Sequence, residues 1–300
     1  MISLLLTLAA AQAAGSPGPQ RPRSQTVQPS PAEPLPGDWR PIPDDEVLVM
    51  TLAGGRRVVI RLAAPYAPEH VANVRRLARA RYWDATSVYR VQDNWVTQWG
   101  GQPDDPPNDA ANKPLPAGVA KTPAAEYEIA AGFHPAQVVP RDAYAEAAGV
   151  TADGWAVAGG GDAGWLAHCY GTVGVARDAA PDTGSGSELF MPIGGSARRL
   201  DRNYTIVGRV IEGARFLSGL PRSDTAMGMY ASHAERVPIV SVRLASDLDA
   251  AERPHLEYRA ADNPRFAAML DARRHPKGMV GSGGIDVCDV PLAVRRAPAG

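Results

Sequence analysis

Residues 88–101 read Val88-Tyr89-Arg90-Val91-Gln92-Asp93-Asn94-Trp95-Val96-Thr97-Gln98-Trp99-Gly100-Gly101. Two β-rich runs, 86–91 and 95–99, flank the polar triplet Gln92-Asp93-Asn94, which reads as a hairpin turn. A turn centred on Asp93 sets Val91 opposite Trp95, Arg90 opposite Val96 and Val88 opposite Gln98. Side chains alternate faces along a strand. Val88, Arg90, Val96 and Gln98 are therefore expected on one face, with Arg90 and Gln98 on a diagonal. A guanidinium and a carboxamide beside apolar groups make a wall that can hold a peptide.

The pattern on either side is also β-rich. Residues 47–52 read as a buried strand, 53–55 as a tight turn and 57–62 as a half-buried strand. A helix follows, with Pro68 and Glu69 in its first turn and Val71, Val74, Leu77 and Ala78 at helical spacing. Strand signals return at 171–176, 188–193, 205–210 and 237–244, and 214–220 reads as a short helix. Between them, 102–170 is loop-rich, with a strand expected at 126–131 and a short helix at 141–148. Many strands, few helices and dense turns favour a closed β architecture; propensity does not separate a barrel from a sandwich.

The chain ends differ in composition from this middle. The apolar run 2–11 followed by Ala11-Gln12-Ala13 predicts a signal peptide over 1–13, and so a periplasmic or secreted protein. The run is shorter than the ~20 residues that span a bilayer, so stable membrane insertion is not expected. Residues 14–44, rich in Pro, Ser and Gln, read as a flexible linker. The ordered domain is expected over 45–245 and a C-terminal extension over 246–300, in which 264–274 forms a helix with Phe266, Met269 and Leu270 facing a core. A formal net charge of −1 gives no basic surface for nucleic acid. Cys169 and Cys288 form one disulfide or remain two buried thiols. His168 beside Cys169 does not make a metal site, because no further ligand stands at metal-binding spacing. A monomer is the default expectation.

Four segments in order resemble the cyclophilins. Val88-Tyr89-Arg90-Val91, the turn and Trp95 to Gly101 resemble that family's aromatic-x-Arg-Val strand and Phe-x-x-Gln-Gly-Gly run. Gly171-Thr172-Val173-Gly174-Val175-Ala176 and Gly186-Ser187-Glu188-Leu189-Phe190-Met191 are similar to its Gly-x-x-x-Met-Ala and Gly-Ser-Gln-Phe-Phe-Ile segments. Leu200-Asp201 and the run from Tyr204 to Gly213 match a fourth. The resemblance implies a closed eight-stranded antiparallel barrel capped by two helices. It also implies a peptidyl-prolyl cis/trans isomerase that acts on Pro-containing polypeptides without a cofactor. Arg90 is implied as the catalytic residue and Gln98 as a backbone-positioning group. Trp95, Val96, Phe190 and Leu200 are implied to line the proline pocket, with Ala176 and Arg177 touching the residues before proline.

The departures from the pattern matter as much. Glu188 replaces a Gln and brings a carboxylate near Arg90; Arg199 stands where an aromatic is common, and Tyr204 where His is frequent. Arg177 replaces an Asn, and Trp99 takes the first Gly position after Gln98. Glu188, Arg199 and the large insertion define a second reading: a cyclophilin-fold peptide-binding or chaperone module with weak or no isomerase activity. A hydrolase is disfavoured, since no Gly-x-Ser-x-Gly elbow is present.

Overall fold

The chain from Val47 onward closes a barrel around its own apolar strands. The computed structural model describes residues 31–103, 113–278 and 284–298. The expected signal peptide and residues 14–30 of the expected linker lie outside the described residues. In chain order, β1 (Trp39–Pro41) precedes the hairpin of β2 (Val47–Leu52) and β3 (Arg56–Leu62), then helix α1 (Pro68–Arg79). Next come β4 (Thr86–Val91), β5 (Val96–Pro103), β6 (Gln137–Val139), β7 (Ala147–Val150), β8 (Ala156–Gly160) and β9 (Ala163–Leu166). The chain continues through β10 (Thr172–Val175), β11 (Leu189–Pro192), β12 (Ile206–Glu212), α2 (Arg215–Ser218) and β13 (Val237–Leu244). It ends with β14 (Leu256–Arg259), α3 (Pro264–Arg274) and β15 (Val294–Arg296).

Eight strands close in the order β10-β11-β5-β4-β13-β2-β3-β12, all antiparallel. Closure leaves no unpaired edge for another chain to join. Leu48, Met50, Val58, Ile60, Val88, Trp99, Leu189 and Met191 fill the interior with the apolar stripe of α1 and Leu217 of α2. Trp99 is almost fully buried there, which explains a large ring where a small residue was the family expectation.

Residues 36–44 are not part of a flexible linker. β1 pairs with β14, and β14 pairs with β15, so the two ends of the described chain share one three-stranded sheet. Prolines hid this strand, but Pro41 sits at its end, where a missing N–H is tolerated. Strands β6–β9 and helix α3 of the C-terminal segment also build one structure. Strands β6-β7-β8-β9 form a second antiparallel sheet. Their Val139, Ala148, Val150 and Trp165 pack with Phe266, Met269 and Leu270 of α3 in a separate core. The Cys169–Cys288 disulfide crosses this core.

Two local expectations in that stretch give way to tertiary context. No strand forms at 126–131. Instead Glu126 caps α1 from outside, accepting from the backbone N–H groups of Glu69 at 2.8 Å and His70 at 3.0 Å, where the helix end is positive. No helix forms at 141–148 either. Ala147 and Ala148 pair into β7, with the small side chain of Ala148 in the second core, and pairing overrides alanine's helix propensity.

Candidate active site

Arg90 and Gln98 face each other directly, not on a diagonal. The turn is longer than expected: the backbone N–H of Gln92 donates to Val96 O at 2.9 Å, so the register places Val91 opposite Thr97 and Arg90 opposite Gln98. Val88 then pairs with Trp99, so two residues of β4 are spent against one of β5. This is a β-bulge at Tyr89. It turns Val88 into the barrel interior, where the expected shared face had put it beside Arg90. Tyr89 and Arg90 are consequently both directed to the Gln98 side.

The guanidinium is held on three sides. Nε donates to Met227 O at 2.7 Å, Nη1 to Gln98 Oε1 at 3.0 Å and Nη2 to Gln92 Oε1 at 2.6 Å. Of the five N–H groups of an arginine, one on each Nη is left for a ligand among the described residues. Met227 reaches this place because its segment bridges β4: Met229 pairs with Arg90, and the N–H of Val91 donates to Gly228 O. Sequence reasoning missed Met227, Gln92 and Tyr89 as site residues. A bridge across more than a hundred residues leaves no local signal for Met227, whereas Tyr89 stood in the quoted motif.

Beside Arg90 lies a cleft of about 320 Å³ lined by Trp95, Val96, Gln98, Ala176, Arg177, Phe190, Leu200, Tyr204 and Met227. Val96, Phe190 and Leu200 form its buried apolar floor. Phe190 is fixed by an edge-on contact to Tyr204 at 5.5 Å between centroids and by stacking on His168 at 6.3 Å. Gly174 lies under the Phe190 ring: a Cβ there would fall 2.3 Å from Phe190 Cζ. Arg177 lies over the Tyr204 ring at 4.9 Å. Arg199 and Glu188 are the expected substrate-contacting residues outside this cleft, and Arg199 lines neither it nor its neighbour. Arg199 is exposed, while its neighbours Arg198 and Leu200 turn inward. Arg199 therefore does not take the place of the aromatic residue common at this position.

The floor is braced from behind. Asp201 accepts from His168 N at 2.8 Å, Trp165 Nε1 at 3.1 Å and Arg198 Nε at 2.7 Å. Arg198 in turn forks onto Asp142 at 2.7 and 3.0 Å. Burial works to raise the Asp201 pKa, but its His168 and Arg198 donors outweigh it and hold the carboxyl below its usual value. Burial lowers the pKa of His168, which stays a neutral packing partner of Phe190. Asp142 belongs to the stretch before β7, so the second sheet supports the cleft wall at Leu200.

Glu188 does not pair with Arg90. Its carboxylate accepts from Tyr89 Oη and from Gly101 N at 2.7 Å. Gln98 Nε2 donates to Tyr89 Oη at 2.6 Å, which completes a chain from Arg90 through Gln98 and Tyr89 to Glu188. Burial pushes the Glu188 pKa up to about 7, against its hydrogen bonds from Tyr89 and Gly101. Burial and the adjacent Glu188 push the Tyr89 phenol well above its ordinary value. Glu188 lines a second cleft of about 400 Å³, which shares Gln98, Ala176 and Arg177 with the first. The two clefts meet at Gln98, and the one beside Arg90 has the apolar floor of Val96, Phe190 and Leu200.

No curated protein matches the chain in a sequence comparison. Among solved structures, it is similar to a cyclophilin, AquaCyp293, from Hirschia baltica at 23% identity, covering 87% of this chain and 95% of that one with a TM-score of 0.64. A cyclophilin-type peptidyl-prolyl cis-trans isomerase of Cryptosporidium parvum, solved with the dipeptide Ala-Pro, matches at 14% identity over 66% of this chain and 98% of that one. Its TM-score of 0.39 is too low to bear on the fold. The family model for cyclophilin type peptidyl-prolyl cis-trans isomerases matches residues 47–244. That span runs from the first residue of β2 to the last of β13, and it includes the whole barrel and both walls of the Arg90 cleft. The chain is a member of the cyclophilin-type peptidyl-prolyl cis-trans isomerase family.

Proposed function

We propose that the protein isomerises X-Pro bonds in exported polypeptides, with Arg90 as the catalytic group. The observation that carries this reading is the position of Arg90: a half-buried guanidinium, fixed on three sides, beside a cleft with an apolar floor. Rotation about an X-Pro bond must break amide resonance; the barrier of a peptide bond is about 18–20 kcal/mol. In the twisted state the prolyl nitrogen regains a lone pair, which a free Arg90 N–H can meet. A donor fixed in advance stabilises that state more than either planar one. Phe190, Val96 and Leu200 hold the proline ring, and Tyr204 closes one side. Gln98, Ala176 and Arg177, common to both clefts, are placed to touch the residues before proline.

An exported setting is supported by the apolar run 2–11 with its Ala11-Gln12-Ala13 sequence, and by the Cys169–Cys288 disulfide. Such bonds persist in oxidising compartments. Among the described residues no helix is long and apolar enough to cross a membrane. The weakly active chaperone reading loses one of its reasons, since Glu188 engages Tyr89 and Gly101 instead of Arg90.

The test is NMR exchange on a series of X-Pro peptides differing in the residue before proline. The reading predicts faster cis/trans exchange with every peptide the protein binds. Binding without any acceleration across the series would overturn it in favour of a peptide-binding module.

A further inference from the structure

We propose that Glu188 is a positioning residue that holds Arg90 in its working orientation through Tyr89 and Gln98. This rests on Arg90 being the catalytic group. The four side chains form a chain with a single direction of donation. Arg90 Nη1 donates to Gln98 Oε1, Gln98 Nε2 to Tyr89 Oη, and Tyr89 Oη to Glu188 Oε2. The other Glu188 oxygen, Oε1, is occupied by Gly101 N. The site is built for this carboxylate. A Cβ on Gly100 would fall 1.7 Å from Glu188 Oε2, and one on Gly101 would fall 2.1 Å from Tyr82 Oη. Only the Gly100-Gly101 pair leaves the slot open.

The direction of the chain depends on the charge of Glu188. A carboxylate can only accept, so Tyr89 must donate to it and present its oxygen to Gln98. Gln98 then turns its NH2 to Tyr89 and its carbonyl oxygen to Arg90. Protonated Glu188 reverses this. Oε1 still accepts from Gly101, so the proton sits on Oε2 and donates to Tyr89. Tyr89 then points its hydrogen at Gln98, which must turn its carbonyl there and its NH2 to Arg90. Two donors now face each other, and Arg90 loses one of its three anchors.

Glu188 changes charge near neutral pH, because burial raises it to about 7. The charged and titratable groups around it come from several elements. Tyr82, just after α1, is pushed up to about 12 by burial and by Glu188, so it stays protonated through this range. Lys113 shares the cleft, its amine tied to the carbonyls of Tyr82 and Asp84 and its pKa lowered by burial. Lys121, Arg177, Asp178 and Asp182 line the same cleft, and none of them bonds Glu188.

The experiment is the pH profile of kcat/KM for X-Pro exchange, by NMR, between about pH 5.5 and about 8.5. It is run on the native protein, Glu188→Gln, Tyr89→Phe and Arg90→Ala, with melting curves at each pH. The native profile should rise with pH and bend near the Glu188 pKa. Glu188→Gln should be flat and about fivefold below the native plateau, the rate equivalent of one hydrogen bond. Its amide oxygen meets Gly101 N–H and its NH2 faces Tyr89, as in the protonated acid. Tyr89→Phe leaves Glu188 free to titrate but cuts the chain, so it too should be flat. A native bend that persists in both variants, or Glu188→Gln matching native at every pH, overturns the proposal. Arg90→Ala separates the two ideas: if it keeps native rates, the Arg90 reading itself has failed.

Discussion

Arg90 and Gln98 stand directly opposite each other on neighbouring barrel strands, joined by a 3.0 Å hydrogen bond from guanidinium to carboxamide. The turn length sets this pairing, and the bulge at Tyr89 then uses one extra residue of β4 before the Val88–Trp99 pair. Barrel packing and site geometry meet at this irregularity. Val88 and Trp99 fill the interior, while Tyr89, Arg90 and Gln98 meet outside it.

The closeness of Gly174 to Phe190 predicts a binding defect. Gly174→Ala would place a methyl 2.3 Å from Phe190 Cζ. Phe190 is wedged between His168 and Tyr204 and cannot retreat without moving them. Overpacking of this kind destabilises by about 1–3 kcal/mol. Denaturant melts should show that loss, and exchange kinetics should show KM raised more than kcat is lowered.

Glu188 also predicts a stability effect. Its carboxyl binds a proton more tightly in the folded chain, at about 7, than at its ordinary value of 4.5. The stability this group contributes is therefore fully present below pH 4.5 and is lost as pH rises through about 7. The loss is at most about 3 kcal/mol. Glu188→Gln removes it, so the variant should gain on the native protein across that window. Denaturant midpoints for the two proteins at several pH values check this; a constant difference would contradict the burial argument.

The disulfide predicts a separation of stability from catalysis. Cys169 and Cys288 are 119 residues apart, so their bond removes much freedom from the unfolded chain. Reduction, or Cys169→Ser with Cys288→Ser, should lower stability by about 2–5 kcal/mol. Neither cysteine lines the Arg90 cleft. The exchange rate per folded molecule, measured below the new melting point, should remain near native.

The barrel strands were legible in the sequence because each carries its own period and each turn its own residues, while their closure into a barrel followed only from the family resemblance. Val47–Leu52, Pro68–Arg79, Val237–Leu244 and Pro264–Arg274 form where their patterns place them. The second sheet was not legible. Its strands are short, rich in Ala and Gly, and stable only against α3, far away in sequence. β1 was masked by prolines and pairs with a strand more than two hundred residues later. In the site, motif positions gave Arg90, Gln98 and Phe190, but a bulge cannot be read from alternation. Val88 was therefore placed on the wrong face, and the contact of Tyr89 with Glu188 went unseen. Arg199 was misplaced for a simpler reason: in a 3-10 turn (Ala197–Leu200), adjacent residues point in different directions, and Arg198 takes the inward one.

Isomerisation by this chain is predicted to depend most directly on Arg90. The decisive measurement is the exchange rate of one well-bound X-Pro peptide with the native protein and with Arg90→Ala, alongside peptide affinity for both. Removing a fixed donor of this kind typically lowers a rate by about 10²–10³-fold. A loss of that size, with affinity changed far less, is the predicted result. Native-like exchange by Arg90→Ala would contradict the central claim.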